Sequence, residues 1–154
     1  MNTRTRVQLV VPCLFFCVAI YLYVHMQREA KRNQEYRVSL ADGENLIKQG
    51  QDQAAIVSLK KAVRLRPQLP HAHDSLGDAY AGAKMFDDAV QEYRRAIALS
   101  SGYPSTYLHL GNVLAEKGQL QDAGQAWKKV IEKDGAGPWA KMAQEQLNKY
   151  FLKP

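Results

Sequence analysis

Self-similarity at a fixed period of about 34 residues constrains the fold of this chain more than any other feature of its sequence. Aligning the chain with itself at that offset places Gly43, Gly77 and Gly111 in one column. Four further columns hold apolar residues of related size: Leu46, Tyr80 and Leu114; Ala55, Ala89 and Ala123; Leu59, Tyr93 and Trp127; Ala62, Ala96 and Val130. Repetition at this length is typical of stacked supersecondary units, since one unit cannot bury its apolar face alone.

Each repeat contains two windows of about a dozen residues in which apolar residues recur every three or four positions, as in amphipathic helices. Short polar turns around Gly50, Lys84 and Gly118 separate the two windows of each repeat. Glycine at two of these turns suits a left-handed residue that ends a helix. Because the turns are short, the paired helices are predicted to be antiparallel. The sequence therefore predicts three helical hairpins.

Residues 36–137 resemble the tetratricopeptide repeat family. The second repeat carries the family pattern in Leu76-Gly77, Tyr80, Phe86, Ala89, Tyr93 and Ala96. The third repeat has Tyr107, Leu110-Gly111, Gly118, Ala123 and Trp127, and the first keeps Gly43, Leu46, Gly50, Ala55, Leu59, Ala62 and Pro67. The first repeat departs from the pattern at Asp42, where the family has leucine. The resemblance implies an all-α, right-handed superhelical solenoid.

The predicted repeats occupy residues 36–69, 70–103 and 104–137, and residues 138–154 are predicted to form a capping helix. A terminal solenoid unit needs such a cap, because its last hairpin would otherwise expose an apolar face. The predicted apolar stripe of the cap consists of Trp139, Met142, Ala143, Leu147 and Tyr150.

The N-terminal segment contains a run of sixteen uncharged residues, Leu9 to Val24. About twenty helical residues span the hydrocarbon core of a bilayer, so residues 7–26 are predicted to be a single transmembrane signal-anchor helix. Residues 1–6 would be a short basic tail and residues 27–35 a polar stalk. A cleaved signal peptide is the alternative. The Lys and Arg residues on the two sides of the run leave the side of the membrane undetermined.

No catalytic pattern is apparent. Both cysteines lie in the N-terminal run, and the rest of the chain contains no GxSxG, HExxH or glycine-rich phosphate loop. His71, Asp74 and Asp78 share one helix face, but a single histidine among them favours a solvated groove over a metal site. We therefore predict no enzyme activity, cofactor, metal or small-molecule substrate. The net charge of +6 is mild, and no aromatic residues alternate with the basic ones, so nucleic acid is not an expected partner.

The family resemblance implies that the first helices of the hairpins line a concave surface that binds a partner protein or peptide. The candidate groove residues are Leu40, Glu44, Ile47, Lys48, His71, Asp74, Asp78, Leu108, Asn112 and Glu116. One subset of the family holds a partner's terminal carboxylates with Lys, Asn and Arg. This chain has Leu40, Glu44, Ser75, His71 and His109 at those places. We therefore do not expect chaperone C-termini of that type as ligands. Asp74 and Asp78, flanked by Leu40, Ile47 and Leu108, favour instead a partner segment with apolar residues and at least one Lys or Arg.

The resulting prediction is a membrane-anchored adaptor or scaffold that binds a partner protein in its groove, in the assembly of a membrane-associated complex. The alternative is an exported, soluble binding protein released by signal-peptide cleavage.

Overall fold

The structure is a computed structural model that describes the backbone of residues 3–100 and 102–152, and the side chains within those ranges from residue 16 onward. The described residues form seven α-helices and no β-strand, which confirms the all-α prediction. Residues 1–35 and residues 36–154 make two separate compact units. The helices are α1 (Thr3–Lys48), α2 (Asp52–Leu65), α3 (Pro70–Gly82), α4 (Phe86–Ser100), α5 (Pro104–Glu116), α6 (Leu120–Asp134) and α7 (Pro138–Phe151).

The N-terminal unit is helical from Thr3 onward, including the predicted polar stalk at residues 27–35. Apolar side chains such as Phe16, Tyr21 and Met26 are exposed. Within the described residues, no helix is both long and apolar enough to cross a bilayer. The structure thus gives no support to the predicted span at residues 7–26. The side chains of residues 7–15 in that span lie outside the described residues, as do Met1 and Asn2 of the predicted basic tail.

Three turns of the same geometry connect the helices within the hairpins. The amide N–H of Gln51 donates to the carbonyl of Leu46, that of Met85 to Tyr80 and that of Gln119 to Leu114, at 2.8–2.9 Å. The preceding residue in each turn has a positive φ: 70° at Gly50, 58° at Lys84 and 77° at Gly118. This pattern is a Schellman motif, which satisfies the last carbonyls of a helix and stops it.

Proline begins the first helix of each later unit. Pro70, Pro104 and Pro138 stand one repeat period apart at the first positions of α3, α5 and α7. Proline suits this position because the N–H that it lacks has no partner in the first helical turn. The equivalent position in the first repeat is Tyr36, where no proline interrupts the chain. Accordingly α1 runs through this position and continues to Lys48.

Close packing of the two helices in each hairpin depends on one glycine. A Cβ added at Gly77 would lie 2.6 Å from the ring of Tyr93, and one at Gly111 would lie 2.5 Å from Trp127. A Cβ at Gly43 would overlap Leu59 in the same way. All three packing side chains are buried, with at most 1% exposed. The repeated glycine therefore lets a large side chain of the second helix cross the first helix.

The C-terminal helix α7 packs against α5 and α6. The ring of Tyr150 stacks on Trp127, with 5.5 Å between the ring centroids, and Ala143 is fully buried. Leu152 does not extend the helix, and Lys153 and Pro154 lie outside the described residues. The apolar face of the third hairpin is thus covered by a helix of the same chain.

Candidate functional site

One polar residue follows the packing glycine in each repeat. These residues are Glu44, Asp78 and Asn112, at equivalent repeat positions on α1, α3 and α5. Each is half-buried. The same register in three equivalent helices places them in one row along the first helices of the hairpins. We call Glu44, Asp78 and Asn112 the groove row.

The packing aromatics hold two members of this row. The hydroxyl of Tyr93 donates a hydrogen bond of 2.7 Å to Oδ1 of Asp78, and the indole N–H of Trp127 donates one of 3.1 Å to Oδ1 of Asn112. An indole nitrogen can only donate, so the amide oxygen of Asn112 faces it. The amide nitrogen of Asn112 is then the part of the side chain left to donate to a ligand. Each aromatic thus packs the core and orients a groove side chain.

The first repeat has no such donor, because Leu59 occupies the position of Tyr93 and Trp127. Glu44 is held instead by residues of the next repeat. Its Oε1 accepts a hydrogen bond of 3.1 Å from the Ser75 hydroxyl and lies 2.8 Å from Nε2 of His71. The carboxylate of Glu44 therefore links α1 to α3 on the side of the groove row.

Asp74, Asp78 and His109 form a compact polar cluster next to the row. One ligand atom from each lies within 4.8 Å of the others, and Nδ1 of His109 is 2.9 Å from Oδ1 of Asp78. About a third of the side-chain surface of His109 and of Asp78 is exposed (32% and 34%). Among the described residues, no Lys or Arg forms an ion pair with either carboxylate. We call these three residues the Asp–Asp–His cluster.

Burial and mutual repulsion change the proton affinities in this cluster. The pKa of Asp74 is raised, mainly by burial and then by the charge of Asp78, while the Thr106 hydroxyl and the two neighbouring histidines partly offset the rise. Burial alone would lower the pKa of His109, but the contact with Asp78 and the charge of Asp74 raise it overall. Burial and Asp78 also raise the pKa of Tyr93. The groups of the cluster therefore hold their protons more tightly than the same groups would in water.

The structure brings most of the predicted groove residues to the first helices as half-buried or exposed side chains. Leu40 and Ile47 are half-buried, and Lys48 and Glu116 lie at the ends of α1 and α5, where a partner can reach them. Leu108 is an exception with 1% of its surface exposed, because it packs in the hydrophobic core. A bound segment could reach the other predicted positions, but it could not touch Leu108.

Sequence reasoning did not include His109 and Thr106 among the site residues. Both lie on α5, one repeat beyond the two aspartates, and Thr106 is 1% exposed. Helical spacing places Asp74 and Asp78 on one face of α3, but it does not show which residues of the next repeat meet that face. The repeat period could have indicated His109, because position 109 is equivalent to position 75 and both lie on the same surface of the first helices.

Two concavities of the described surface lie away from the groove row. One of about 440 Å³ is lined by residues of α4, α5 and α6, including Arg94, Tyr107 and Lys128, and another of about 490 Å³ includes Arg94, Arg95 and Lys117. Basic side chains are prominent in the lining of both. These two surfaces are therefore more basic than the groove row. A positively charged ligand would bind at the groove row rather than at either of them.

The stacked hairpins, with a glycine contact and a polar row repeated in every unit, define a helical-repeat solenoid. Residues 43–83 and 85–118 match the family model described as "TPR repeat". This match confirms the tetratricopeptide repeats that the sequence pattern predicted, over residues 43–83 and 85–118.

Two curated proteins are similar over part of the chain. The small glutamine-rich tetratricopeptide repeat-containing protein 2 of Mycosarcoma maydis is 28% identical over 81 residues, which cover 53% of this chain and 23% of that protein. The cytochrome c-type biogenesis protein CycH of Bradyrhizobium diazoefficiens is 27% identical over 97 residues, which cover 60% of this chain and 26% of that protein. The chain thus matches about a quarter of the length of these relatives.

A solved structure has the same fold. The first tetratricopeptide domain of Spaghetti (RPAP3), bound to the HSP90 peptide SRMEEVD, superposes with a TM-score of 0.70 and 22% identity, covering 78% of this chain and 95% of that one. At this identity the similarity establishes the shared fold, and the peptide is a ligand of that protein.

Proposed function

We propose that this chain is a protein-interaction adaptor that binds a segment of a partner protein along the groove row. The observation that supports this most directly is the row itself: three polar side chains, one per repeat, two of them oriented by core aromatics. A side chain that is already oriented loses less conformational entropy when a ligand binds, so binding is more favourable. A surface kept only for solubility gains nothing from such fixed orientations.

The chemistry of the row indicates the chemistry of the partner. Asp74 and Asp78 have no Lys or Arg ion-pair partner among the described residues, and Glu44 is a further carboxylate of the groove row, so the centre of the groove is acidic. Half-buried Leu40 and Ile47 provide apolar contact at one end. The amide nitrogen of Asn112 can donate to a backbone carbonyl. We therefore propose a segment with apolar residues and at least one Lys or Arg.

The HSP90 peptide bound by the Spaghetti domain supports the use of this fold for peptide binding. Its net charge is negative, however, whereas the ligand proposed here carries Lys or Arg. Its sequence SRMEEVD contains three acidic residues against one arginine, and this excess of negative charge is disfavoured in a groove that contains Glu44, Asp74 and Asp78. Like charges in contact disfavour association. The proposed ligand of this chain is accordingly distinct from acidic chaperone tails.

A random peptide library selected on the purified chain tests the proposal. We expect enriched peptides to combine apolar residues with Lys or Arg, and we expect Asp74→Lys/Asp78→Lys to reduce their affinity at least tenfold. The matched control is Asp122→Lys/Glu145→Lys, which makes the same charge change at exposed positions of α6 and α7. Equal loss in both variants, or enrichment of acidic peptides, would contradict the proposal.

We also propose that residues 7–26 attach the adaptor to a membrane, where it would assist the assembly of a membrane-associated complex. The uncharged run Leu9 to Val24 and the exposed Phe16, Tyr21 and Met26 support this. Release as an exported soluble protein is the alternative. Alkaline extraction of membranes together with the intact mass of the mature chain separates them. An uncleaved chain that stays in the pellet supports attachment, and a chain shortened near Ala19 supports release.

A further inference from the structure

We propose that Asp74, Asp78 and His109 form a binding site for a divalent transition-metal ion, with Zn²⁺ as the best match. The site would lie between the second and third repeats, with two ligands on α3 and one on α5. The site shares Asp74 and Asp78 with the acidic centre of the proposed groove, but binding of the ion requires no peptide.

The geometry provides the first argument. Two carboxylate oxygens and an imidazole nitrogen lie within 4.8 Å of one another, from side chains that are only partly buried. Ligand atoms bound to one Zn²⁺ at about 2.0–2.2 Å lie roughly 3–3.6 Å apart, so small side-chain rotations close the distance. The exposed third of Asp78 and His109 gives an ion a path from solvent.

Unsatisfied polar atoms provide a second, independent argument. Oδ1 of Asp74, Nδ1 of His109 and Oγ1 of Thr106 are buried atoms that make no well-formed hydrogen bond. Thr106 lies close to Asp74, and Nδ1 of His109 lies 2.9 Å from Oδ1 of Asp78. Thr106 is almost wholly buried beside Asp74, with 1% of its surface exposed. Buried polar atoms without partners are rare and costly. A cation at this point would satisfy Asp74 and His109 and would relieve the repulsion between the two carboxylates.

The ring of His109 is also held in place. Its centroid lies 6.0 Å from that of Tyr93 and 6.5 Å from that of Trp139, the latter in an edge-to-face arrangement. Tyr93 in turn holds Asp78 through its hydroxyl. Contacts of this kind orient the ligands before the ion arrives and commonly strengthen metal sites.

The ligand types select the class of ion. Imidazole nitrogen suits zinc, copper, iron and nickel, whereas Mg²⁺ and Ca²⁺ prefer oxygen ligands alone. Two carboxylates and one imidazole leave an open coordination position, as in zinc sites with three protein ligands.

Calorimetric titration of the metal-free full chain with ZnCl₂ tests the inference. We expect one Zn²⁺ per chain, at least tenfold weaker binding in Asp74→Asn and in His109→Gln, and much weaker binding of MgCl₂ and CaCl₂. Glu145→Gln is the matched control, since Glu145 is exposed on α7 and lies outside the cluster; its affinity should stay within twofold of wild type. Equal affinity in all variants, no binding at all, or Ca²⁺ binding as tightly as Zn²⁺ would overturn the proposal.

Two further readouts exclude a misfolded variant or a thiol site. In the wild type, Zn²⁺ should shift the imidazole NMR signals of His109 and leave those of His73 unchanged. With Co²⁺ in place of Zn²⁺, the spectrum should show nitrogen and oxygen ligation without the thiolate charge-transfer band that Cys13 and Cys17 would produce. A thiolate band, or unchanged His109 signals, would contradict the assignment to this cluster.

Discussion

The first repeat and the second repeat use the same backbone geometry but hold their groove residues differently. In the second repeat, Tyr93 both fills the space over Gly77 and donates a hydrogen bond to Asp78. In the first repeat, Leu59 fills the space over Gly43 and cannot donate, so Glu44 depends on Ser75 and His71 of the neighbouring repeat. In the second repeat, one side chain, Tyr93, both packs the hairpin and orients the groove residue. In the first repeat, Leu59 packs the hairpin, and Ser75 and His71 orient the groove residue.

The comparison shows where substitutions can separate stability from binding. A change at Leu59 should alter packing without directly releasing Glu44. A change at Tyr93 should alter both packing and the orientation of Asp78. The third repeat follows the second, with Trp127 and Asn112 in place of Tyr93 and Asp78.

Tyr93→Phe should give the largest effect among the changes that test this contrast. It removes only the hydroxyl, and we expect a loss of about 1.5–3 kcal/mol in the free energy of unfolding, because a bond to a charged acceptor is lost in a buried setting. Urea denaturation measures this loss. Tyr103→Phe is the control, since Tyr103 is 56% exposed. If both variants lose the same amount, the hydroxyl of Tyr93 does not hold Asp78 and the contrast with Leu59 fails.

The junction between the first and second repeats should depend on pH. His73 is buried, with Nδ1 2.6 Å from Oε2 of Glu92 and Nε2 3.0 Å from the carbonyl oxygen of Pro67. The hydrogen bond to Glu92 raises the pKa of His73 above its usual 6.5, against the lowering effect of burial. A raised folded-state pKa means that the stabilisation is complete below about pH 6.5 and is lost as pH rises through the folded-state value.

The corresponding variant is His73→Gln, compared with wild type in urea denaturation at about pH 5 and about pH 9. We expect the difference in unfolding free energy between the two proteins to be larger at the lower pH. The third repeat has Tyr107 and Ala126 at the equivalent positions, so no such pair can form there. A difference that is constant with pH, or that grows as pH rises, would show that the pair does not stabilise this junction through the charged imidazole.

The turn of the second repeat should give the smallest effect. Lys84 has φ of 58°, where the equivalent residues of the other two hairpins are glycines. Lys84→Gly should raise the free energy of unfolding by about 0.5–1 kcal/mol, because glycine adopts the left-handed conformation without strain although it loses more backbone entropy on folding. Gly118→Ala, the reverse change at an equivalent turn, should lower it. Thermal unfolding measures both, and a decrease for Lys84→Gly would contradict the equivalence of the turns.

Much of the fold could be predicted because its determinants are local and periodic. Gly50 and Gly118 marked two turns, and the repeat period carried the third turn to Lys84, whose positive φ the sequence alone did not indicate. The candidate site was less accessible. Asp74 and Asp78 share a face of one helix by spacing, but their contact with His109 depends on how α3 and α5 stack. The repeat register places Leu108 in the groove, but in the structure it lies in the hydrophobic core with 1% of its surface exposed, which depends on how α5 packs against its neighbours.

An amide chemical-shift map of the chain bound to a library-selected peptide tests the groove row most directly. The account predicts that the largest shifts fall at Glu44, Asp78 and Asn112 and their neighbours on α1, α3 and α5, while the exposed Lys61, Arg95 and Lys128 of the second helices keep their positions. Largest shifts at those basic residues, with the groove row unchanged, would contradict it.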